Sequence, residues 1–184
     1  RASDRRRLRC RRAWEPEIAR EAMTENVHIE IVEPAWRKIR GVRQVVARAI
    51  KACGPHFNRD DEPELCVLLC SDARMRQLNR TWRGKDRPTN VLSFPADART
   101  QLGDIAIAYE TVLREAAEEG KSVSAHLAHM VVHGSLHLAG FDHESDEEAE
   151  EMEMLERRVL ASLGYDDPYD EDVPGSRTAT RRQG

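Results

Sequence analysis

The sequence predicts an α+β domain with a single small, four-stranded mixed sheet packed against about five helices. Two observations lead to this fold class. Four short segments have the apolar patterns of strands, and helical periodicity connects the earlier ones. The second half of the chain is mainly helical in its periodicity, so the order of elements is mixed rather than strictly alternating. A chain of 184 residues has the length of about one domain with a buried core.

The four predicted strands are recognised by their apolar residues. Residues 27–32 alternate apolar and polar side chains, which is typical of a half-buried strand. Residues 65–70 are continuously apolar, which predicts a central strand covered on both faces. Residues 91–94 form a strand that Pro95 ends, and residues 102–108 supply the fourth.

The five predicted helices follow from apolar spacing and from signals at their ends. The first begins at Pro34, which suits an initial helical position, and stops at residues 53–55. N-cap residues and apolar spacing place the others: Ser71 or Asp72 begins the second, the third spans about residues 110–119, Ser122 or Ser124 begins the fourth, and the fifth spans about residues 144–163.

Composition favours a soluble protein in a reducing compartment. No apolar run approaches the roughly 20 residues that a membrane-spanning helix requires, so no membrane partner is expected. The four cysteines form neither a CxxC pair nor a regular framework. We therefore interpret them as reduced thiols of a cytoplasmic protein.

The charges are segregated along the chain, although the formal net charge is only −4. Residues 144–156 contain eight acidic residues and neither lysine nor arginine. A basic stretch, by contrast, holds Arg74, Arg76, Arg80, Arg83, Lys85 and Arg87. Such a basic stretch suits a polyanionic partner, and a solvated helix face is the alternative on charge alone.

Three regions are expected along the chain. Residues 1–22 are rich in arginine, and we expect them to be a disordered or non-native basic leader, with an RNA-binding arm as the alternative. Residues 23–165 hold the whole predicted domain and are expected to carry its activity. Residues 166–184 are expected to be a flexible tail.

Residues 133–143 place three histidines within reach of one metal ion. His133 and His137 are four residues apart, so on a helix they lie one above the other on one face. Gly140 permits a left-handed residue that ends the helix, and the following turn can bring His143 back to the same point. Three neutral imidazoles leave one tetrahedral position for water, as in catalytic zinc sites. The sequence therefore predicts a metal site at the end of a helix, and buried, locally satisfied histidines are the alternative.

Other side chains near this motif are candidates for supporting roles. His129 lies one turn earlier, where it is expected to hydrogen-bond a ligand or to contact substrate. For His126 and His129, a locally satisfied polar side chain is the favoured alternative. Asp142 and Asp104 are the nearest plausible carboxylates by motif position, either as a base or as groups that orient a histidine.

The histidine spacing is also that of metzincin proteases, whose second motif residue is the glutamate general base. In this chain that position is Gly134. A peptidase built on the motif would lack its base, which leaves a metal-dependent protease or other hydrolase as a minor hypothesis.

Arg83 is the second candidate centre of chemistry. A guanidinium beside Gly84 can approach a phosphate with paired donors and stabilise negative charge that develops on phosphorus. Lys85, in the same loop, is a further candidate for contact with a substrate. On composition alone, a solvated loop arginine is the better interpretation of Arg83.

Four segments together resemble the bacterial YbeY family of rRNA maturation factors. They are RGKD at 83–86, PTNVLSFP at 88–95, LGDI at 102–105 and HGSLHLAGFDH at 133–143. The likeness runs from about residue 27 to residue 169, and the leader departs from the family pattern.

The resemblance implies an α+β fold and a single-strand-specific endoribonuclease that acts in 16S rRNA 3′-end maturation and ribosome quality control. It also implies that His133, His137 and His143 hold one zinc ion and that Arg83 is the functional arginine. Another divalent transition metal is an alternative for a three-histidine site.

We therefore hypothesise a cytoplasmic, metal-dependent endoribonuclease. Its expected partners are single-stranded RNA, the 16S rRNA precursor, and the ribosome or small-subunit proteins, with no DNA and no membrane. The alternative from another class is a non-catalytic RNA-binding ribosome-assembly factor whose metal is structural. The sequence does not identify the general base.

Overall fold

The computed structural model describes residues 26–57, 64–96 and 101–170. Four strands form one mixed sheet, which confirms the predicted class: β1 (Val27–Ile31), β2 (Glu64–Cys70), β3 (Val91–Pro95) and β4 (Gln101–Ala108). The strand order is β1-β2-β4-β3. β1, β2 and β4 are parallel, and β3 runs antiparallel to β4 at one edge. β2 is central, as its continuous apolar run predicts. The predicted leader at 1–22 and residues 171–184 of the predicted tail lie outside the described residues.

Five α-helices accompany the sheet within the described residues, as predicted: α1 (Val42–Cys53), α2 (Asp72–Arg83), α3 (Tyr109–Glu118), α4 (Val123–Ala139) and α5 (Asp146–Ser162). Serine side chains cap three of them. Ser71 caps α2, Ser122 caps α4, and Ser145 forms a capping box with Glu148 at the start of α5. None of the helices in the described part of the chain is both long and apolar enough to cross a membrane.

The prediction of one helix from Pro34 to about residue 53 is wrong. Pro34–Lys38 form a 3-10 turn, and α1 starts only at Val42. Between them Ile39 has an extended backbone and Gly41 has a left-handed φ of 69°, which interrupts the helical path. The apolar spacing misled because a 3-10 turn repeats every three residues, close to the helical period.

The two faces of the sheet bury different helices, because successive side chains of a strand point to opposite sides. Ile105 and Ile107 of β4 belong to the large core that also contains buried residues of α1, α4 and α5. Ala106 and Ala108, the intervening residues, pack with Met75 of α2 in a smaller core. The sheet therefore separates α2 from α4.

Candidate metal centre

The helix α4 ends where the histidine motif requires a turn. Gly140 adopts a φ of 99°, and its N–H donates to the carbonyl of His137. The N–H of Phe141 then donates to the carbonyl of Leu136 at 3.1 Å. This left-handed C-cap reverses the chain, so that His143 returns towards the last turns of the helix.

The structure brings the three predicted ligands together. One nitrogen from each of His133, His137 and His143 lies within 4.8 Å of the others. The Nε2 atoms of His133 and His137 are 3.1 Å apart. Two nitrogens bound to a tetrahedral zinc at roughly 2.0–2.1 Å are separated by about 3.3 Å, so the observed pair has the spacing of metal ligands.

Hydrogen bonds fix which nitrogen His133 and His137 present as neutral imidazoles. The Nδ1 of His133 lies 2.8 Å from Oε1 of Glu156, and the Nδ1 of His137 lies 3.0 Å from the carbonyl oxygen of Phe141. Because an ionised carboxylate and a carbonyl only accept, both Nδ1 atoms carry protons and both Nε2 atoms present lone pairs. Two lone pairs at this distance repel unless a cation lies against both, so the donor set fits a divalent metal.

The pKa of His137 also suits a ligand. Burial lowers it from the ordinary histidine value, and electrostatic repulsion from a proton on the nearby His133 imidazole would lower it further, while the hydrogen bond to Phe141 opposes the shift. The lowered pKa favours the neutral imidazole, which is the form that binds metal.

Glu156 is a buried carboxylate in contact with two of the histidines, and the sequence analysis missed it. Only 1% of its surface is exposed. Burial by itself raises its pKa, but hydrogen bonds from His129 and His133 outweigh that effect and lower the pKa to about 2. In the sequence, Glu156 is one of eight acidic residues between 144 and 156, and nothing in that composition distinguishes it from the others. Its position, however, places it beside Leu155 and Val159 on the inward face of α5. That position was the available clue.

His129 contacts the carboxylate and is absent from the group of metal donors. Its Nε2 lies 2.8 Å from Oε2 of Glu156. The hydroxyl of Tyr169 donates to the same oxygen, and its ring lies edge-on to His129 with centroids 5.6 Å apart. Tyr169 lies beyond the predicted domain boundary at residue 165, in the first part of the predicted tail.

The two predicted carboxylates occupy different places. Oδ1 of Asp142 accepts from the N–H of His143 at 2.9 Å and lies 3.9 Å from Nδ1 of His137. Asp142 therefore shapes the turn that carries the third histidine. Asp104 lies in β4 beside Cys66 of β2, on the α2 side of the sheet, and is absent from the group of metal donors.

Gly134 explains why this motif has no glutamate at its second position. A Cβ there would lie 3.1 Å from Cγ2 of Ile105 and 3.1 Å from Oγ of Ser93. The Ser93 hydroxyl also donates to the carbonyl of Gly134 at 3.1 Å. Because α4 packs closely against the sheet at this point, a metzincin-type glutamate would require Ile105 or Ser93 to shift, which argues against the protease hypothesis.

Arg83 is the last residue of α2, and the structure does not bring it into hydrogen-bond contact with the histidines. Trp82, its neighbour, packs edge-on against Phe94 of β3 at 6.1 Å between centroids. On the other face, Leu138 of α4 approaches Gly103, which pairs with Pro95. α2, which ends at Arg83, and α4, which carries His133 and His137, therefore pack on opposite faces of the sheet, near the same end of the β3–β4 pair.

The exposed side chains of Arg83 and Lys85 form no ion pair within residues 26–57, 64–96 and 101–170. By contrast, Arg76 makes two hydrogen bonds of 2.8 Å to Asp86, and these hold the pKa of that carboxyl below its usual value. Asp86 thus neutralises one basic residue and leaves Arg83 and Lys85 available to an anion.

The loop after Arg83 is anchored by a network that sequence reasoning also missed. Nδ2 of Asn90 donates to Oε2 of Glu115 at 3.1 Å, and Nε2 of the buried His126 lies 2.9 Å from the same oxygen. Nδ2 of Asn79 donates to the carbonyl of Arg87 at 2.7 Å. His126 therefore serves as a structural partner of the loop, in agreement with the favoured alternative for it.

Comparison with known proteins identifies the family. The profile of the family described as Endoribonuclease YbeY matches residues 29–164. An Endoribonuclease YbeY of Nitrobacter winogradskyi is 48% identical over 172 residues, which cover 88% of this chain and 90% of that protein. One from Rhodopseudomonas palustris is 52% identical over 149 residues, which cover 76% of this chain and 87% of that protein.

The structural comparison agrees. The solution structure of TM1509 from Thermotoga maritima superposes with a TM-score of 0.52 at 28% identity, over 82% of this chain and 99% of that one. The resemblance inferred from the four motifs is thus confirmed over most of the chain. This chain belongs to the YbeY family of endoribonucleases.

Proposed function

We propose that this member of an endoribonuclease family is a zinc-dependent enzyme that cleaves single-stranded RNA in 16S rRNA 3′-end maturation and in ribosome quality control. The observation that carries the proposal is the convergence of His133, His137 and His143 within 4.8 Å at the end of α4. The motif resemblance supports the rRNA substrate, the cytoplasmic location, and the ribosome or its small-subunit proteins as partners.

His133, His137 and His143 would hold the metal through neutral imidazole nitrogens. Zinc is the proposed ion because it accepts such ligands in tetrahedral sites, and another divalent transition metal fits the same donors. When bound, the ion supplies a Lewis acid for a phosphoryl oxygen and acidifies a coordinated water. The backbone of Phe141 and the carboxylate of Glu156 keep the ligand rings oriented.

Arg83 is proposed to bind the scissile phosphate and to stabilise the charge that develops on it. Its guanidinium is exposed and has no ion-pair partner among the described residues, so no salt bridge has to be broken when a phosphate binds. Two parallel N–H groups suit two phosphoryl oxygens. The neighbouring basic residues of α2 would bind the flanking phosphates.

The separation between Arg83 and the three-histidine cluster supports a preference for single-stranded RNA. α2, which ends at Arg83, and α4, which carries His133 and His137, lie on opposite faces of the sheet, and β3 is the edge strand between them. An RNA that contacts both must bend around that edge. A flexible single strand can follow this path, whereas a stiff A-form duplex cannot readily do so.

The proposal is tested with an RNA that carries the 3′ end of the 16S precursor as a single strand. We expect metal-loaded protein to cleave it and to leave the same sequence intact when a complementary strand covers it. Chelation should abolish cleavage while circular dichroism shows an unchanged fold. A protein that loses its fold on chelation, or that binds the RNA without cleaving it, would instead be an assembly factor with a structural metal.

A further inference from the structure

The α5 carboxylate of Glu156 is buried against the metal centre, although it is absent from the group of donors that could hold the ion. Its Oε1 lies 2.8 Å from Nδ1 of His133, a proposed ligand. Its Oε2 lies 2.8 Å from Nε2 of His129, one turn earlier on α4. The carboxylate therefore spans two successive turns of the histidine helix.

This contact decides the tautomer of His133. An ionised carboxylate has no proton to donate, so the Nδ1 of His133 must carry the hydrogen of the bond. In a neutral imidazole the Nε2 is then unprotonated, and in His133 that atom lies 3.1 Å from Nε2 of His137. The opposite tautomer would place a proton where the metal has to bind.

The second oxygen of Glu156 is held in turn. It accepts hydrogen bonds from the Nε2 of His129 and from the hydroxyl of Tyr169. The Nδ1 of His129 is buried and has no hydrogen-bond partner among the described residues. Arg157 lies over the Tyr169 ring, with Cζ 4.7 Å from its centroid. These contacts keep the carboxylate from rotating away from His133.

We propose that Glu156 is a positioning residue of the metal centre: it fixes the metal-binding tautomer and orientation of His133, and His129 and Tyr169 hold it in place. This inference rests on the proposed function, because it requires that His133 bind a metal. Carboxylates that accept from the non-coordinating nitrogen of a ligating histidine raise the basicity of that ligand.

The test compares Zn²⁺ affinity in Glu156→Gln, Glu151→Gln and the parent, measured by competition with a chromogenic chelator. His129, His133 and Tyr169 all donate hydrogen bonds to the Glu156 carboxylate. In Glu156→Gln an NH2 group replaces one of the two accepting oxygens, so at least one of these donors loses its acceptor. We expect Glu156→Gln to bind Zn²⁺ about 10- to 100-fold more weakly. Glu151→Gln, an exposed change on the same helix, should bind like the parent.

A second measurement uses the unaltered, metal-free protein and so does not depend on the folding of a variant. Long-range ¹H–¹⁵N correlation spectra of the ring nitrogens should show His133 protonated at Nδ1. Protonation at Nε2 would overturn the proposal, as would a folded Glu156→Gln protein with the Zn²⁺ affinity of the parent while His137→Ala loses affinity. If His137→Ala also binds like the parent, the three-histidine centre itself is wrong, and the positioning role falls with it.

Discussion

His133 and His137 face each other across one turn of α4, with their Nε2 atoms 3.1 Å apart and each Nδ1 held by an oxygen from elsewhere in the fold. The arrangement presents two lone pairs to one point. His143 completes it only because the chain turns back at Gly140. The candidate metal centre is thus local in sequence, whereas the groups that contact its histidines come from the turn after α4 and from α5.

Zinc affinity should fall as the pH is lowered, because each ligand must be neutral to bind. The pKa of His137 is already below the ordinary histidine value, so this ligand remains neutral to a lower pH than an unperturbed histidine does. We expect little change from pH 8 to 7 and a loss that begins only below about pH 6.5, the ordinary histidine value, because the pKa of His137 is lowered. Chelator competition at a series of pH values checks this, and an affinity that stays constant down to pH 5 would speak against histidine ligands.

Arg83→Glu should reduce cleavage without weakening metal binding, because Arg83 forms no hydrogen bond with the histidines and ends a helix that packs on the other face of the sheet from α4. Loss of a group that stabilises transition-state charge typically costs about 10²- to 10³-fold in kcat. Arg83→Lys keeps the charge but loses the paired donors, so its rate should be intermediate. Single-turnover cleavage and Zn²⁺ competition are the measurements.

Arg158→Glu is the matched control for Arg83→Glu, since it makes the same charge change at an exposed position of α5. Its cleavage rate should equal that of the parent. An Arg83→Glu protein that cleaves as fast as this control would remove Arg83 from the mechanism.

Gly134→Glu should destabilise the fold rather than create a peptidase. The new side chain would start 3.1 Å from Ile105 and Ser93 in a buried position, and a charge would follow it into the core. Overpacking alone costs about 1–3 kcal/mol, and an unpaired buried charge adds to that loss. Urea unfolding should show the loss in free energy of unfolding, with Gly134→Ala less affected. Parent-like stability of Gly134→Glu would mean that α4 does not press on the sheet there.

Glu115→Ala should loosen the loop at 84–90. Oε2 of Glu115 accepts a hydrogen bond from Asn90 and also contacts Nε2 of the buried His126. Glu115→Ala therefore leaves Asn90 and His126 without this partner. Removing one partner of buried polar groups costs about 1–3 kcal/mol. Amide hydrogen exchange of residues 85–90 should speed up, and KM for RNA should rise. Glu118→Ala, an exposed change on the same helix, should leave exchange in that loop unchanged.

The sequence predicted what local chemistry determines. Strand patterns, serine caps and the Gly140 turn are encoded within a few residues, and they produced the sheet, the helices and the three-histidine cluster. The contact between His133 and Glu156 joins residues 23 apart in sequence, and the periodicity of α5 could not show which of its inward side chains meets a histidine. The sequence did not reveal that the predicted first helix is interrupted before α1, because the 3-10 turn continues the apolar spacing of a helix.

We expect a metal held by His133, His137 and His143 to be required for RNA cleavage. The most direct test of this requirement is to titrate Zn²⁺ into metal-free protein and into His143→Ala while measuring cleavage of a single-stranded RNA. We expect activity of the parent to rise from the background rate and to saturate at one Zn²⁺ per chain, and His143→Ala to remain inactive at that ratio. Full activity of the rigorously metal-free parent would contradict this expectation.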